Sequence, residues 1–330
     1  MSINSYIYTH KKNYLKNPEN SQAIGNFRGQ VYEASFYEWL KDNVNYPNMK
    51  LVAKSPYIKR VNVNDGFYNS KDGSCCYSSC GVTLFEFDAL CCSENLITFY
   101  ECFLSKSSQN IKSHENTCKR KTTFLQKIFP NHTIKCIFVS NINENLDLFG
   151  VLDGIELLVY PEPEVDLKKI AIKNKPKELT LTSNMIEPEK VTQIAKRFDY
   201  ISLQMELAES FNKSKNIQDI TQQIISYGEV VKRLHIGAID ASFLKEEFNF
   251  KGMGSVILSL DFTNIIKPTL RYYIYQNGVS ELKLNKKPKI LDQYKASRKE
   301  LLLLKKKIKP ISNSDYLDIY SIFECKNTFR

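Results

Sequence analysis

The sequence predicts an α/β chain, a mixed-sheet core followed by a second, basic α+β domain. Three observations lead there. The first half runs through helical and strand patterns in the order helix, strands, helix, strand, turn, strand. A hydrophobic share of 42% and an aromatic share of 12% supply enough apolar surface for packed cores and exclude global disorder. The charge is also partitioned. Residues 1–165 carry 17 Lys/Arg against 17 Asp/Glu, and residues 166–330 carry 29 against 19, so the second half holds the whole net charge of +10. At 330 residues the chain exceeds the usual size of one core. The expected domains are 1–165 and 166–330.

Taken in order, residues 22–43 read as a helix capped by Ser21, with Phe27, Val31, Phe36, Trp39 and Leu40 as its apolar stripe. Strands are expected around 57–64 and 82–91, separated by a Gly/Ser/Asn-rich loop containing DGFYNSKDGS. A further strand ends near Phe103, and a helix over 114–129 is stopped by Pro130. Residues 134–142 and 154–161 alternate as strands. The proline- and lysine-rich stretch 161–179 is the best candidate linker. Beyond it, 188–213 and 216–235 read as amphipathic helices, the second closed by Gly237. Two more strands follow within 254–263 and 269–284, the latter containing Asn277-Gly278, a hairpin-turn signal. Residues 290–308 read as a basic helix and 312–326 as a terminal one. The literal Glu324-x-Lys326 lies on that last helix and is discounted.

Residues 84–106 are the most informative stretch. Alternation places Leu84, Glu86 and Asp88 on one face of a strand, with Phe85, Phe87 and Ala89 on the other. In the next strand Ile97, Phe99, Glu101 and Phe103 share a face. Burying carboxylates among such neighbours requires compensation, and a divalent cation with oxygen ligands, most often magnesium, supplies it. The alternative is a half-exposed hairpin whose acids face solvent. Glu86 reads either as a supporting group near such a cation or as a strand-face ion-pair partner.

Other function classes find less support. No stretch approaches the ~18 apolar residues needed to cross a bilayer, and the N-terminus lacks the apolar core of a signal peptide. The expectation is a cytoplasmic protein whose nine cysteines are free thiols. No Cys-x-x-Cys pair is present and His10, His114, His132 and His235 have no ligand spacing to the cysteines, which argues against zinc. Eleven of the residues 283–309 are Lys or Arg, against Asp292 and Glu300. Such a run attracts a polyanion in a salt-dependent manner, and nucleic acid is the expected partner; the bland alternative is a solvated lysine-rich face. Arg271 with Tyr272, Tyr273 and Tyr275 reads either as a base-stacking surface or as cross-strand packing.

Three blocks resemble the PD-(D/E)XK nuclease superfamily, the restriction-endonuclease-like fold, over residues 25–160. Gly29-Gln-Val-Tyr-Glu33 is similar to its G-x-x-[FY]-E element, Glu86-Phe-Asp88 to E-x-D, and Glu101-Cys102 to the start of E-x-K. The helix and strand that follow match the order expected next. The resemblance implies Mg²⁺ or Mn²⁺ held by Asp88, Glu101 and the carbonyl of Cys102, with Glu33 binding through water or completing a second position. It implies an endonuclease, a hydrolase of phosphodiester bonds in DNA or RNA. One departure stands out: the lysine expected two residues after Glu101 is Phe103. Lys106, Lys119 or Lys121 would replace it, Lys121 being favoured, or the domain has lost catalysis and binds nucleic acid or a partner protein instead. Whether the chain forms a homo-oligomer or joins a partner subunit is open at this level.

Overall fold

Asn20 opens the long helix of the first half. Its side chain accepts from the Ala23 amide at 2.9 Å, so Asn20 rather than Ser21 caps Ser21–Asn43 (α2), which follows the short helix Lys11–Lys16 (α1). Phe27, Val31, Tyr32, Phe36, Tyr37 and Leu40 are all buried, so α2 is covered on more than one side. The computed structural model describes residues 8–44, 48–55, 65–70, 73–80, 82–104, 111–141, 154–173, 180–213, 233–240, 246, 255–261, 269–275 and 290–296. The strand expected at 57–64, the Asn-Gly turn and the terminal helix lie outside them.

The architecture is mixed α/β. Lys50–Val52 (β1) is a strand the sequence pattern did not single out. The Gly/Ser/Asn-rich stretch expected as a loop instead contributes Gly66–Asn69 (β2) and Cys75–Ser79 (β3), which form a three-stranded sheet with Val82–Phe87 (β4) in the order β2-β3-β4. Phe67 and Tyr77 bury their rings there, which overrides the turn-forming composition. Ala89–Cys92 (β5), Leu96–Phe103 (β6), Thr133–Ser140 (β7), Ile155–Val159 (β8) and Met185–Ile186 (β9) join β1 in a six-stranded mixed sheet of order β8-β7-β6-β5-β1-β9. The hairpin β5–β6 is antiparallel, and β6 and β7 run parallel from Leu96↔Thr133 to Phe103↔Ser140. A parallel pair needs a crossover, and Ile111–Ile128 (α3) provides it.

The described part of the stretch expected as a linker, 161–173, is largely exposed but rests on the first half through Leu167, Ile170 and Ala171. Tyr160 is buried; it accepts from the Tyr32 hydroxyl at its carbonyl and donates its own hydroxyl to the Ser35 carbonyl. Arg28 pairs with Glu162, and Leu167–Lys173 (α4) buries Ala171. The chain divides into two compact units, Met1–Ser78 with Leu84–Phe198, and Ser79–Thr83 with Asp199–Arg330. Residues 166–198, expected to begin the second domain, therefore fold with the first, β9 pairing in parallel with β1.

Pro188–Ile194 (α5) meets β2 through Gly66. A Cβ there would lie 2.3 Å from Thr192 Cγ2, and Gly66 holds φ +106°. Thr192 cannot swing away without releasing the Phe67 amide, which donates to its hydroxyl at 2.7 Å. Gly66→Ala is expected to destabilise by about 2–3 kcal/mol, read from the urea midpoint at unchanged m-value.

In the second unit the helix expected over 188–213 is interrupted, and its second part is Tyr200–Lys213 (α6). Four strands, Arg233–Asp240 (β10), Ser255–Asp261 (β11), Thr269–Tyr275 (β12) and Ile290–Ala296 (β13), form an antiparallel sheet in sequence order. Residues 233–235 are thus strand rather than helix end, and Gly237 sits at a register shift instead of closing a helix. Residues 290–296 pair with β12, so a basic helix does not begin at 290. His235, fully buried, lies 2.7 Å from the Ser259 hydroxyl through Nδ1, and its amide donates to Gln204. No helix among the described residues is long and apolar enough to cross a membrane.

Candidate active site

The strand run 82–92 belongs to two sheets, and Asp88 is the residue at which it changes over. β4 ends at Phe87 in the small sheet, and β5 begins at Ala89 in the large one. The β5–β6 ladder stops at the pair Ala89↔Tyr100. Past that point β6 loses its backbone partner on this side, and Asp88 replaces it: the Cys102 amide donates to Asp88 Oδ2 at 2.7 Å. The half-buried Asp88 carboxylate is thereby fixed near Glu101, the residue before Cys102 in β6.

Three other elements converge on this end of the ladder. Helix α2 brings half-buried Glu33. Helix α3 is amphipathic, with Cys118, Lys121, Phe124, Leu125 and Ile128 along its buried face. Lys121, itself 6% exposed, donates from Nζ to Glu101 Oε1, with its ammonium 5.2 Å from the Phe87 ring centroid. The segment leaving β1 brings Lys54, whose Nζ donates to the Asp88 carbonyl at 3.0 Å.

These groups feel one another strongly. Burial, and then the Asp88 charge, raise the Glu33 carboxyl well above its ordinary value, with Glu86 and Glu101 adding to the effect and Lys54 opposing it. Burial pushes Glu101 up to about 7; Lys121 pulls it down and Asp88 adds to the rise. Burial pulls both lysines down, but Asp88 and Glu33 outweigh it at Lys54, and Glu101 and Asp88 do so at Lys121, so both ammonium groups are held more firmly charged than usual. With all six groups ionised, four carboxylates against two ammonium groups leave a charge of −2.

Of the residues singled out from sequence, Glu33, Asp88, Glu101 and Lys121 are brought together. Lys119 is on another face of α3 and pairs with Glu115 at 2.6 Å, while Lys106 lies outside the described residues. Phe103, in the place of the motif lysine, is buried with its ring 4.7 Å from His114 and 5.5 Å from Phe138. Glu86 is exposed on β4 and contributes its charge. Cys102 enters through its backbone; burial, and then Asp88, raise its thiol well above the ordinary value. Lys54 is the residue that sequence reasoning missed. Its signal was a lysine closing the apolar run Leu51-Val52-Ala53, all three buried.

The donor set is all oxygen, which suits a hard cation such as Mg²⁺ or Mn²⁺. Among the described residues no three His, Cys, Asp or Glu groups form a ready-made metal cage. A hard cation held through only one or two carboxylates and completed by water is compatible with that, and Asp88 and Glu101 are the acids that could hold it. No disulfide joins the eight described cysteines. Of the basic run 283–309, only Lys295 is among the described residues, its backbone opposite Arg271. No family model matches the chain, and neither does any curated protein or solved structure.

Proposed function

We propose that this chain is a metal-dependent nuclease hydrolysing phosphodiester bonds in DNA or RNA, built on a PD-(D/E)XK, restriction-endonuclease-like core. One observation carries the reading: a buried lysine from the crossover helix reaches Glu101, beside Asp88, at the end of a β-ladder. The order α2, β1, β5, β6, α3, β7 supports it as well, with Glu33 on the first helix.

Asp88 and Glu101 would hold Mg²⁺ or Mn²⁺ together with the Cys102 carbonyl, and Glu33 would contribute through water. When bound, such a cation supplies a water of lowered pKa and neutralises charge developing on the phosphate. Lys121 would position that water, the role the resemblance gives to the motif lysine that Phe103 replaces, and its charge opposes the rise of the Glu101 carboxyl. The lysine-rich second half would hold the polynucleotide by its backbone charge.

A second reading, a catalytically silent nuclease-fold subunit that binds nucleic acid or a partner protein, is favoured by one observation: Phe103 is packed as core against His114 and Phe138. The test incubates the full chain with end-labelled duplex DNA, single-stranded DNA and RNA, in EDTA, Mg²⁺ or Mn²⁺. Metal-dependent cleavage of any of them supports the nuclease. Salt-dependent binding without cleavage under either metal sinks it and leaves the binding subunit.

A further inference from the structure

Lys54 stands outside the motifs of the nuclease reading, yet its backbone is tied down on every side. The Tyr37 hydroxyl donates to the Val52 carbonyl at 2.9 Å and accepts from the Lys54 amide at 2.9 Å. The Asn69 side chain donates to the Ala53 carbonyl at 3.0 Å, and the Ala53 amide donates to the Ile186 carbonyl at 2.8 Å. Tyr37, Val52, Ala53, Lys54 and Asn69 are all buried. The Lys54 ammonium, 5.8 Å from the Tyr37 ring centroid, ends on the carbonyl of Asp88.

That carbonyl belongs to the residue that neither sheet pairs, so ladder hydrogen bonds do not fix its backbone. We propose that Lys54 is a positioning residue: by gripping the main chain at the strand break it holds the Asp88 carboxylate on the Cys102 amide and beside Glu101. Lys54 and Lys121 then divide the labour. One fixes Asp88 through its backbone; the other meets the Glu101 side chain directly. A lysine suits the first task because its ammonium is a compact point donor, and a single carbonyl offers no second acceptor for a guanidinium fork. The charge of Asp88, Glu33 and Glu86 keeps the ammonium protonated despite its burial.

The catalytic consequence of this role rests on the nuclease reading; the structural part does not. The test is amide exchange in the full metal-free chain, comparing wild type with Lys54→Met and following the Cys102 amide against the amides of β7. Local release of the Asp88 carboxylate is expected to speed exchange at Cys102 about tenfold, with β7 unchanged. Unchanged exchange at Cys102 overturns the proposal. So does a uniform rise across β6 and β7, which marks a general prop of the sheet. Should Lys54→Met fail to fold, Lys54→Gln, shorter and neutral, serves instead; failure of both marks a purely fold-stabilising residue and also overturns it. Where wild type cleaves, Lys54→Met is expected to lower kcat about 10²-fold with KM for the polynucleotide unchanged. Where wild type does not cleave, the nuclease reading fails and exchange alone judges Lys54.

Discussion

Under the proposed nuclease function, Asp88→Asn is expected to lower metal-dependent cleavage by about 10³-fold while leaving the metal-free protein as stable as wild type or more so. The amide oxygen of Asn retains an acceptor for the Cys102 amide, which Asp88 holds at 2.7 Å, so the end of the ladder stays closed. What disappears is one negative charge. Asp88 is the largest electrostatic contribution to the raised Glu33 carboxyl, so its neutralisation relaxes a repulsion already present without metal. The same charge is what would hold the cation. Cleavage assays in Mn²⁺ paired with thermal unfolding in EDTA therefore separate the roles. Loss of cleavage with an unchanged or raised Tm assigns Asp88 to metal chemistry. Loss of both assigns it to the fold.

Lys121→Met is expected to destabilise the metal-free protein in a pH-dependent way and to abolish cleavage. Removing the lysine leaves the buried Glu101 carboxyl without the ammonium that offsets its charge, so the folded chain holds that proton to higher pH than wild type does. The sign with pH follows from the raised carboxyl. Glu101 titrates near 7 in the folded chain and near 4.5 in the unfolded one, so between these values the folded state binds more protons. Stability from this group is complete below about pH 4.5 and is lost as pH rises toward 7. Without Lys121 the folded carboxyl rises further and the loss continues to higher pH. The deficit of Lys121→Met should be smallest in acid and largest near pH 8, read by urea unfolding across that range. Adding Glu101→Gln should recover most of the stability and none of the cleavage. A deficit independent of pH would mean that Lys121 acts through packing, for instance against the Phe87 ring, and not through its charge.

What the sequence made legible was local. The alternation of 84–92 and 96–103 predicts strands because inward positions such as Phe85, Phe87, Phe99 and Phe103 are large and apolar, and each is buried. Lys119 and Lys121, two apart on a helix, point to different sides; only the structure shows which side meets Glu101, and it is that of Lys121. Lys54 was illegible because its meaning depends on β1 lying next to β5, Leu51 opposite Cys91, a pairing across forty residues. The small sheet was hidden for another reason: Gly66, Asn69, Ser78 and Ser79 score as turn formers, and only burial of Phe67 and Tyr77 tips them into strands. The lysines and arginine of 290–308 suggested a basic helix, whereas at 290–296 hydrogen bonding to β12 decides for a strand.

The changeover at Asp88 also governs how this protein tolerates insertion and deletion. In an uninterrupted strand, adding or removing one residue turns every later side chain to the opposite face. Here the two ladders are separately anchored, β5 by Leu90↔Phe99 and Cys91↔Thr98, and β2–β3 by Phe67↔Tyr77. A length change before Phe85 therefore does not by itself shift the β5–β6 register, which is held by pairs of its own, although Phe85 and Phe87 would still have to find their places against Phe124 and Lys121.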